Sequence, residues 1–433
     1  MHWFKIVLPL AYMCGNIYIL VRLWHGLSMH FNRMGMAGNF VLPVWVRIIV
    51  MAIVAVAACS LFISIGIRHN EVPYWLMKLL HVTGSVWMLF MFYMIMLLLP
   101  LDIARAVIPA LKGAAWFTSA KVFWGASALV AMVLIAGYIN YINPKVVHLN
   151  LTLQQARALS DSSLQTGTEL DHNPLKIAAI SDVHLGYGTG RSLVRRYIKM
   201  INEQEPDIVL IVGDLIDNSI KPVKEKGLHK ELDSIKAPLG IYMVPGNHEY
   251  ISRIRDCKEL IAETSIILLQ DSIVTIPLQT DICSNANEAA NGPVLKIIGR
   301  DDRMNSFRRK SLETLLAEAK EENLPANGNN SDTLTGTGNS GKGEIYTIVL
   351  DHQPYDLALT DSLGVDIQIS GHTHRGQIWP FNLLTDKLYE QSQGYRKWSH
   401  SHIYVSSGLS LWGPPFRIGT NSELVVLEVG IQD

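Results

Sequence analysis

The chain has 433 residues, of which 49% are hydrophobic, and a formal net charge of -1. That balance gives no basis for a nucleic-acid partner, and a mean hydropathy of +0.20 is high for a soluble protein. The four cysteines carry no C-x-x-C spacing and so give no support for a cysteine-based zinc site. Cys14 and Cys59 lie in apolar segments, whereas Cys257 and Cys283 lie in polar sequence and are expected to be able to pair if that part is exported.

The apolar excess is concentrated in residues 1–145, where four helices are predicted at about 6–24, 48–66, 79–101 and 122–142. "IIVMAIVAVAACSLFISIG" and "VTGSVWMLFMFYMIMLLLPL" run about 20 residues without a charge, the length a helix needs to cross a bilayer. "VFWGASALVAMVLIAGYI" is similar, with Trp124 and Tyr138 near its ends as interfacial anchors. The first segment is interrupted by Pro9, Gly15 and Asn16, and a cleaved signal peptide would fit it alone but not the other three.

The short loops set an orientation. Arg22, Arg33 and Arg47 flank the loop after the first segment, and Arg105, Lys112 and Lys121 the loop after the third. Arg68, Lys78 and Lys145 flank the other side. The bias puts loops one and three in the cytoplasm, and everything after residue 145 outside it. The expectation is an integral membrane protein with an exocytoplasmic C-terminal domain.

Residues 146–172 read as a linker, and 173–433 as one α/β domain. Short Ile- and Val-rich runs recur there, each followed by a polar cluster. "LKIAAI" leads into "SDVHLG", "DIVLIV" into "GDLIDN", and "GIYMV" into "PGNHEY". "VLKII" leads into "GRDD", "IYTIVL" into "DHQP", "VDIQI" into "SGHTH", and "SHIYV" into "SSGLS". Such runs read as buried strands, with helical stretches between them at 191–203 and 308–320. Polar residues gathered at strand C-terminal ends mark the usual site of an open α/β sheet. Residues 284–292 and 324–343, the latter rich in Gly, Asn, Ser and Thr, read as surface loops, the second a flexible insertion. There is no internal repeat.

Collected along the chain, the strand ends carry Asp182, His184, Asp214, Asn247, His352, His372 and His374. Asp182 and His184 are one residue apart, as are His372 and His374, so an extended backbone would aim each pair to one side. Carboxylate, amide oxygen and imidazole suit zinc, manganese or iron. Seven donors exceed the need of one ion and match two ions that share a carboxylate about 3.5–4 Å from each other.

D-x-H, G-D-x-x-D, G-N-H-E, a lone His and G-H-x-H, in that order, resemble the calcineurin-like metallophosphoesterase superfamily. The likeness covers about 175–430, and the "GHTHRGQIWP" ending looks most like its membrane-associated bacterial branch, transmembrane proteins with a metallophosphoesterase domain. Arg375 stands where that branch usually has glycine. The resemblance implies a layered sheet sandwich flanked by helices and two divalent ions, of manganese, iron or zinc. Asp182, His184 and His374 would hold one ion, Asn247, His352 and His372 the other, and Asp214 both. His248 would contact the phosphate and protonate the leaving oxygen, oriented by Asp217. Glu249 is assigned to local structure.

The implied reaction is hydrolysis of a phosphate ester by a hydroxide that bridges the ions, formed as they lower the pKa of water from about 15.7 towards about 7. Arg300, Arg303 and Arg375, near strand ends, are candidates for phosphate contact. Trp412 and Phe416, on the Gly- and Pro-rich stretch 408–419, would line the pocket or touch the bilayer. Two alternatives stand beside this reading. One is hydrolysis of a lipid-linked pyrophosphate of the UDP-2,3-diacylglucosamine type, which needs a cytoplasmic site. The other is a non-catalytic metal-binding sensor.

Overall fold

A computed structural model describes residues 4–30, 42–66, 72–113, 120–153, 174–278, 293–321 and 345–431. Cys283, the loops at 284–292 and 324–343, most of the expected linker, Arg33 and Arg68 lie outside these residues. The chain divides into two compact units. One is Met1–Tyr141 with Gly413–Ile418, and the other is Ile142–Trp412 with Gly419–Asp433.

The first unit contains four helices long and apolar enough to cross a membrane: α1 (Phe4–His30), α2 (Val44–Gly66), α3 (Tyr74–Val107) and α4 (Ala120–Ile142). All four expected segments are helices. α1 continues through Pro9, Gly15 and Asn16, and α3 extends beyond its expected bounds at both ends. The polar groups within the helices find partners. The Asn16 side chain donates to the Tyr12 carbonyl at 2.9 Å and accepts from Trp87 Nε1 at 2.7 Å. Gly84 lets α2 and α3 approach closely, since a Cβ there would meet the Leu61 backbone. Leu8, Ile53, Met132 and Ile135 face outward and are exposed, the reverse of a helix packed in water.

The second unit is an α/β domain built on two six-stranded sheets. The strands of the first sheet run in the order β1 (Lys145–Leu153), β12 (Glu423–Ile431), β2 (Leu175–Ile180), β3 (Ile208–Val212), β4 (Ile241–Val244) and β5 (Ile267–Leu268). Those of the second run β10 (Gly394–Lys397), β11 (His402–Val405), β9 (Ile367–Ser370), β8 (Ile345–Leu350), β7 (Val294–Gly299) and β6 (Ser272–Pro277). β2, β3, β4 and β5 are parallel in the first sheet, and β7, β8, β9 and β11 in the second.

Ile177, Leu210, Val212 and Val244 of the first sheet share one core with Ile297, Ile348, Leu350 and Ile369 of the second. The opposite face of the first sheet packs Ala178, Val209 and Ile211 against Val194, Tyr197 and Ile201 of α5 (Arg191–Asn202). Ile298 and Val349 of the second sheet pack against the helix Leu312–Glu321. The layers are therefore helix, sheet, sheet, helix. Because the central strands are covered on both faces, they read as continuous apolar runs rather than alternating ones.

All seven expected strands are present. Residues 145–153, assigned to the end of the first region and the start of the linker, instead form β1, paired in parallel with β12 along their length. Cys257, a candidate for pairing with Cys283, is a buried free thiol whose Sγ donates to the Glu249 carbonyl at 3.5 Å.

Candidate metal centre

The C-terminal ends of β2, β3, β4, β8 and β9 deliver all seven expected donors to neighbouring loops. Those loops are tied to one another by backbone hydrogen bonds. Asp182 N donates to Gly213 O, His184 N to Asp214 O, and Gly371 N to His352 O. The sequence pattern predicts an extended backbone at D-x-H and H-x-H, and this is corrected by the structure. Asp182, His184, Asp214, His372 and His374 all adopt positive φ, between 47° and 70°. Such left-handed residues cost free energy unless the surroundings over-determine them, and they cluster at functional sites. Here the inter-loop bonds impose them. Thr373 turns away, its Oγ1 donating to the Ser392 carbonyl at 2.6 Å.

Two three-residue groups bring metal-ligand atoms within 4.8 Å of one another: Asp182, His184 and His374, and Asp214, His352 and His372. Asp214 lies between them, its Oδ2 at 3.2 Å from His352 Nε2 and 3.8 Å from His184 Nε2. Asp182 Oδ1 is 3.2 Å from His374 Nε2. A third group joins His248 to His184 and Asp214. Asp182 Oδ1, Asn247 Oδ1 and His352 Nε2 are buried without a hydrogen-bond partner, a costly state for polar atoms that is relieved by coordination. His352 Nδ1 lies 2.8 Å from the Val212 carbonyl. A donor at Nδ1 leaves the Nε2 lone pair directed into the site, the usual support of a ligating imidazole. These residues fit a pair of divalent ions.

The electrostatics agree. Burial alone would raise Asp182 and Asp214. The imidazoles of His374 and His184 outweigh it for Asp182, those of His352 and His184 for Asp214, and both carboxyls stay well below the ordinary range. Burial opposes charge on His184, yet Asp182, Asp217 and Asp214 push it up to about 10. Without metal the carboxylates draw protons onto the imidazoles, so ions and protons compete for one space. His372 is pushed down to about 4, first by burial and then by His352, and is a neutral donor.

Asp217 Oδ1 lies 3.4 Å from His248 Nδ1 and 3.6 Å from His184 Nδ1. It thus faces His248 and a candidate metal ligand alike. Burial would raise its carboxyl, but the facing imidazoles of His184 and His248 hold it below the usual range.

Glu249 has a larger role than local structure. Its carboxylate is fully buried and accepts from Gly246 N at 2.7 Å, Asp214 N at 3.0 Å and Ile216 N at 2.9 Å. It clamps the loop of Asp214 to the loop of Asn247 and His248. The only trace in the sequence is the acid closing G-N-H-E. Burial, then the Asp214 charge, pushes it up to about 7. Two glycines permit the close approach. A Cβ on Gly246 would overlap Asp214 Oδ1, and one on Gly371 would overlap Ser181 Oγ and Asp182 Oδ2.

The three arginines are engaged with carboxylates. Arg300 donates to Asp351 at 2.9 Å, and Arg303 pairs with Asp356 at 2.5 Å. Arg375 Nη1 donates to Gln393 Oε1 at 3.1 Å, with its Nε 3.8 Å from Asp386. Trp412 is 52% exposed, with its ring 6.4 Å from that of His248. Phe416 is buried in the helical unit, 6.5 Å from the ring of Tyr138.

Residues 175–376 match the family model described as calcineurin-like phosphoesterase. The chain is 29% identical over 305 residues to a Danio rerio protein named transmembrane protein with metallophosphoesterase domain, covering 68% of this chain and 60% of the relative. That description is therefore not confined to bacteria. It is 32% identical over 257 residues to an uncharacterized metallophosphoesterase of Helicobacter pylori, covering 59% of this chain and 60% of the relative. The chain thus spans about three fifths of the length of these relatives. Among solved structures, the calcineurin-like phosphoesterase YfkN of Bacillus subtilis aligns with a TM-score of 0.36 and 14% identity, covering 55% of this chain and 82% of that one.

Proposed function

We propose, from the match of residues 175–376 to the calcineurin-like phosphoesterase model, that the chain is a membrane-anchored, two-metal phosphoesterase that hydrolyses a phosphate ester. The observation that supports this most is the pair of donor groups meeting at Asp214, with unpartnered ligand atoms buried beside it. Bound there, two divalent ions of manganese, iron or zinc would neutralise phosphate oxygens and make water a nucleophile near neutral pH.

The remaining work falls to side chains of this chain. His248, within ring contact of His184 at 4.6 Å, is next to the ligands yet open towards Trp412. It would hold the ester oxygen and give it a proton as the bond to phosphorus breaks. Asp217 would keep the His248 Nδ1 proton in place, so that Nε2 faces the substrate. Asp217 would do the same for His184, which couples proton delivery to the metal-binding shell.

The four apolar helices would hold the protein in a bacterial inner or plasma membrane. The basic residues flanking loops one and three favour an exocytoplasmic domain. That orientation favours an ester over the lipid-linked pyrophosphate reading. The test is a panel of phosphomonoesters, phosphodiesters and lipid pyrophosphates given to full-length protein in detergent, with and without manganese, iron or zinc. Metal-dependent turnover of an ester is expected. Metal binding without turnover of any of them would replace this reading with the sensor.

A further inference from the structure

The groups around the site form a chain of neighbours. Trp412 lies 6.4 Å from His248, and His248 lies 4.6 Å from His184. Asp214 then joins His184 to His352. His352 lies 5.2 Å from His372, and His372 lies 6.4 Å from Tyr389. Tyr389 continues outward into Tyr355, with rings 5.2 Å apart and hydroxyls 3.4 Å apart. The Arg303 guanidinium covers Tyr355 at 4.8 Å. Aromatic side chains thus stand at both ends of this chain of contacts. The Gln377 amide holds one end, donating to the Trp412 carbonyl at 3.2 Å.

Resting on the phosphoesterase reading above, we propose that the substrate is a phosphodiester whose two organic substituents lie against Trp412 on one side and the Tyr389–Tyr355 pair on the other. One observation carries this. A monoester has a single organic substituent and would leave one aromatic surface unused, whereas a diester sets a substituent against each.

The leaving side follows from His248. Water adds to phosphorus, and the bond from phosphorus to the oxygen on the Trp412 side breaks. That oxygen takes the His248 proton, and one proton of the attacking water restores His248. The products are an alcohol released past Trp412 and a phosphomonoester retained at Tyr389. Tyr389, Tyr355 and Trp412 are then specificity residues, in contact with substituents and not with the reacting proton.

The test compares bis(p-nitrophenyl) phosphate with p-nitrophenyl phosphate on full-length, metal-loaded protein in detergent. The wild type should have the higher kcat/KM on the diester. Tyr389→Ala and Tyr355→Ala should each lower the diester-to-monoester ratio about 3–10-fold, the size of a lost aromatic contact, and Tyr389→Phe should keep it. Binding gives a second readout. Diphenylphosphinate and phenylphosphonate carry carbon in place of the ester oxygens and cannot be turned over. By calorimetry the phosphinate should bind more tightly and lose the same factor in Tyr389→Ala. A monoester preference in the wild type, equal binding of the two analogues, or ratios unmoved in both alanine variants would overturn the diester proposal alone. Failure of the wild type to hydrolyse either ester, with metal bound, would instead overturn the phosphoesterase reading beneath it.

Discussion

Replacing Glu249 with glutamine keeps its shape and removes one acceptor. In the wild type Oε2 accepts from Gly246 N and Asp214 N, and Oε1 accepts from Ile216 N. A glutamine can turn its carbonyl to the Gly246 and Asp214 pair, but its amide NH2 then meets the Ile216 N–H. One hydrogen bond is lost and two donors face each other in a buried space, at a cost of about 1–3 kcal/mol. Two of the three donors belong to the metal loops, so a second effect is expected. Asp214 and Asn247 lose their mutual register, and metal affinity should fall about 10–100-fold, as for other supports of ligands. The pH dependence has a definite sign. Burial and the Asp214 charge raise the folded Glu249 carboxyl to about 7 from 4.5. A raised acid contributes stability below pH about 4.5 and loses it as pH rises through about 7. In metal-free protein the deficit of Glu249→Gln relative to wild type should therefore shrink from pH 5 to pH 8. Thermal unfolding of the full chain in detergent with chelator reads the first effect, and competitive zinc titration the second. Unchanged metal affinity, or a deficit that grows with pH, would refute the clamp.

Gly246→Ala should lose metal and turnover together, since its Cβ would displace Asp214 Oδ1; elemental analysis showing two ions per chain would contradict this. Asp214→Asn should do the same, while His248→Ala should keep its metals and lose turnover by about 10²–10⁴-fold. The His248 loss should be smaller for p-nitrophenyl than for alkyl esters, whose leaving oxygen needs the proton; loss of metal in His248→Ala would make His248 a ligand. Asp217→Asn, which faces both His248 and His184, should reduce turnover and also weaken metal binding, and an effect on turnover alone would remove its link to His184. A C-terminal alkaline phosphatase fusion should be active and a green fluorescent protein fusion dark, the reverse pattern placing the domain in the cytoplasm.

What could be read from the chain follows from how local each signal is. β2, β3, β4, β8 and β9 are covered on both faces, so each is a short, mostly apolar run, set apart from the longer apolar runs of the helices by the polar cluster that follows it. β1 and β12 are different. "KVVHLNLTL" is half-exposed, and "ELVVLEVGI" carries Glu423 and Glu428. Their pairing joins residues 145 and 423, a separation at which composition holds no information. The candidate ligands were legible because a metal needs particular donor atoms, and those occur in a fixed order. Their backbone was not. D-x-H alone reads as an extended alternation, whereas Asp182 and His184 are driven to positive φ by hydrogen bonds to Gly213 and Asp214 on another loop. The same distance hides the clamp. All three donors to Glu249 are backbone amides, which any sequence provides, and two of them lie 33 and 35 residues away. The arginines mark the opposite limit. Arg300, Arg303 and Arg375 were placed near the strand ends correctly, but an arginine facing a substrate and one facing Asp351, Asp356 or Asp386 have the same sequence neighbours. Only their partners separate the two cases: Arg303 and Arg375 face Asp356 and Asp386, and Arg300 shares Asp351 with Arg309.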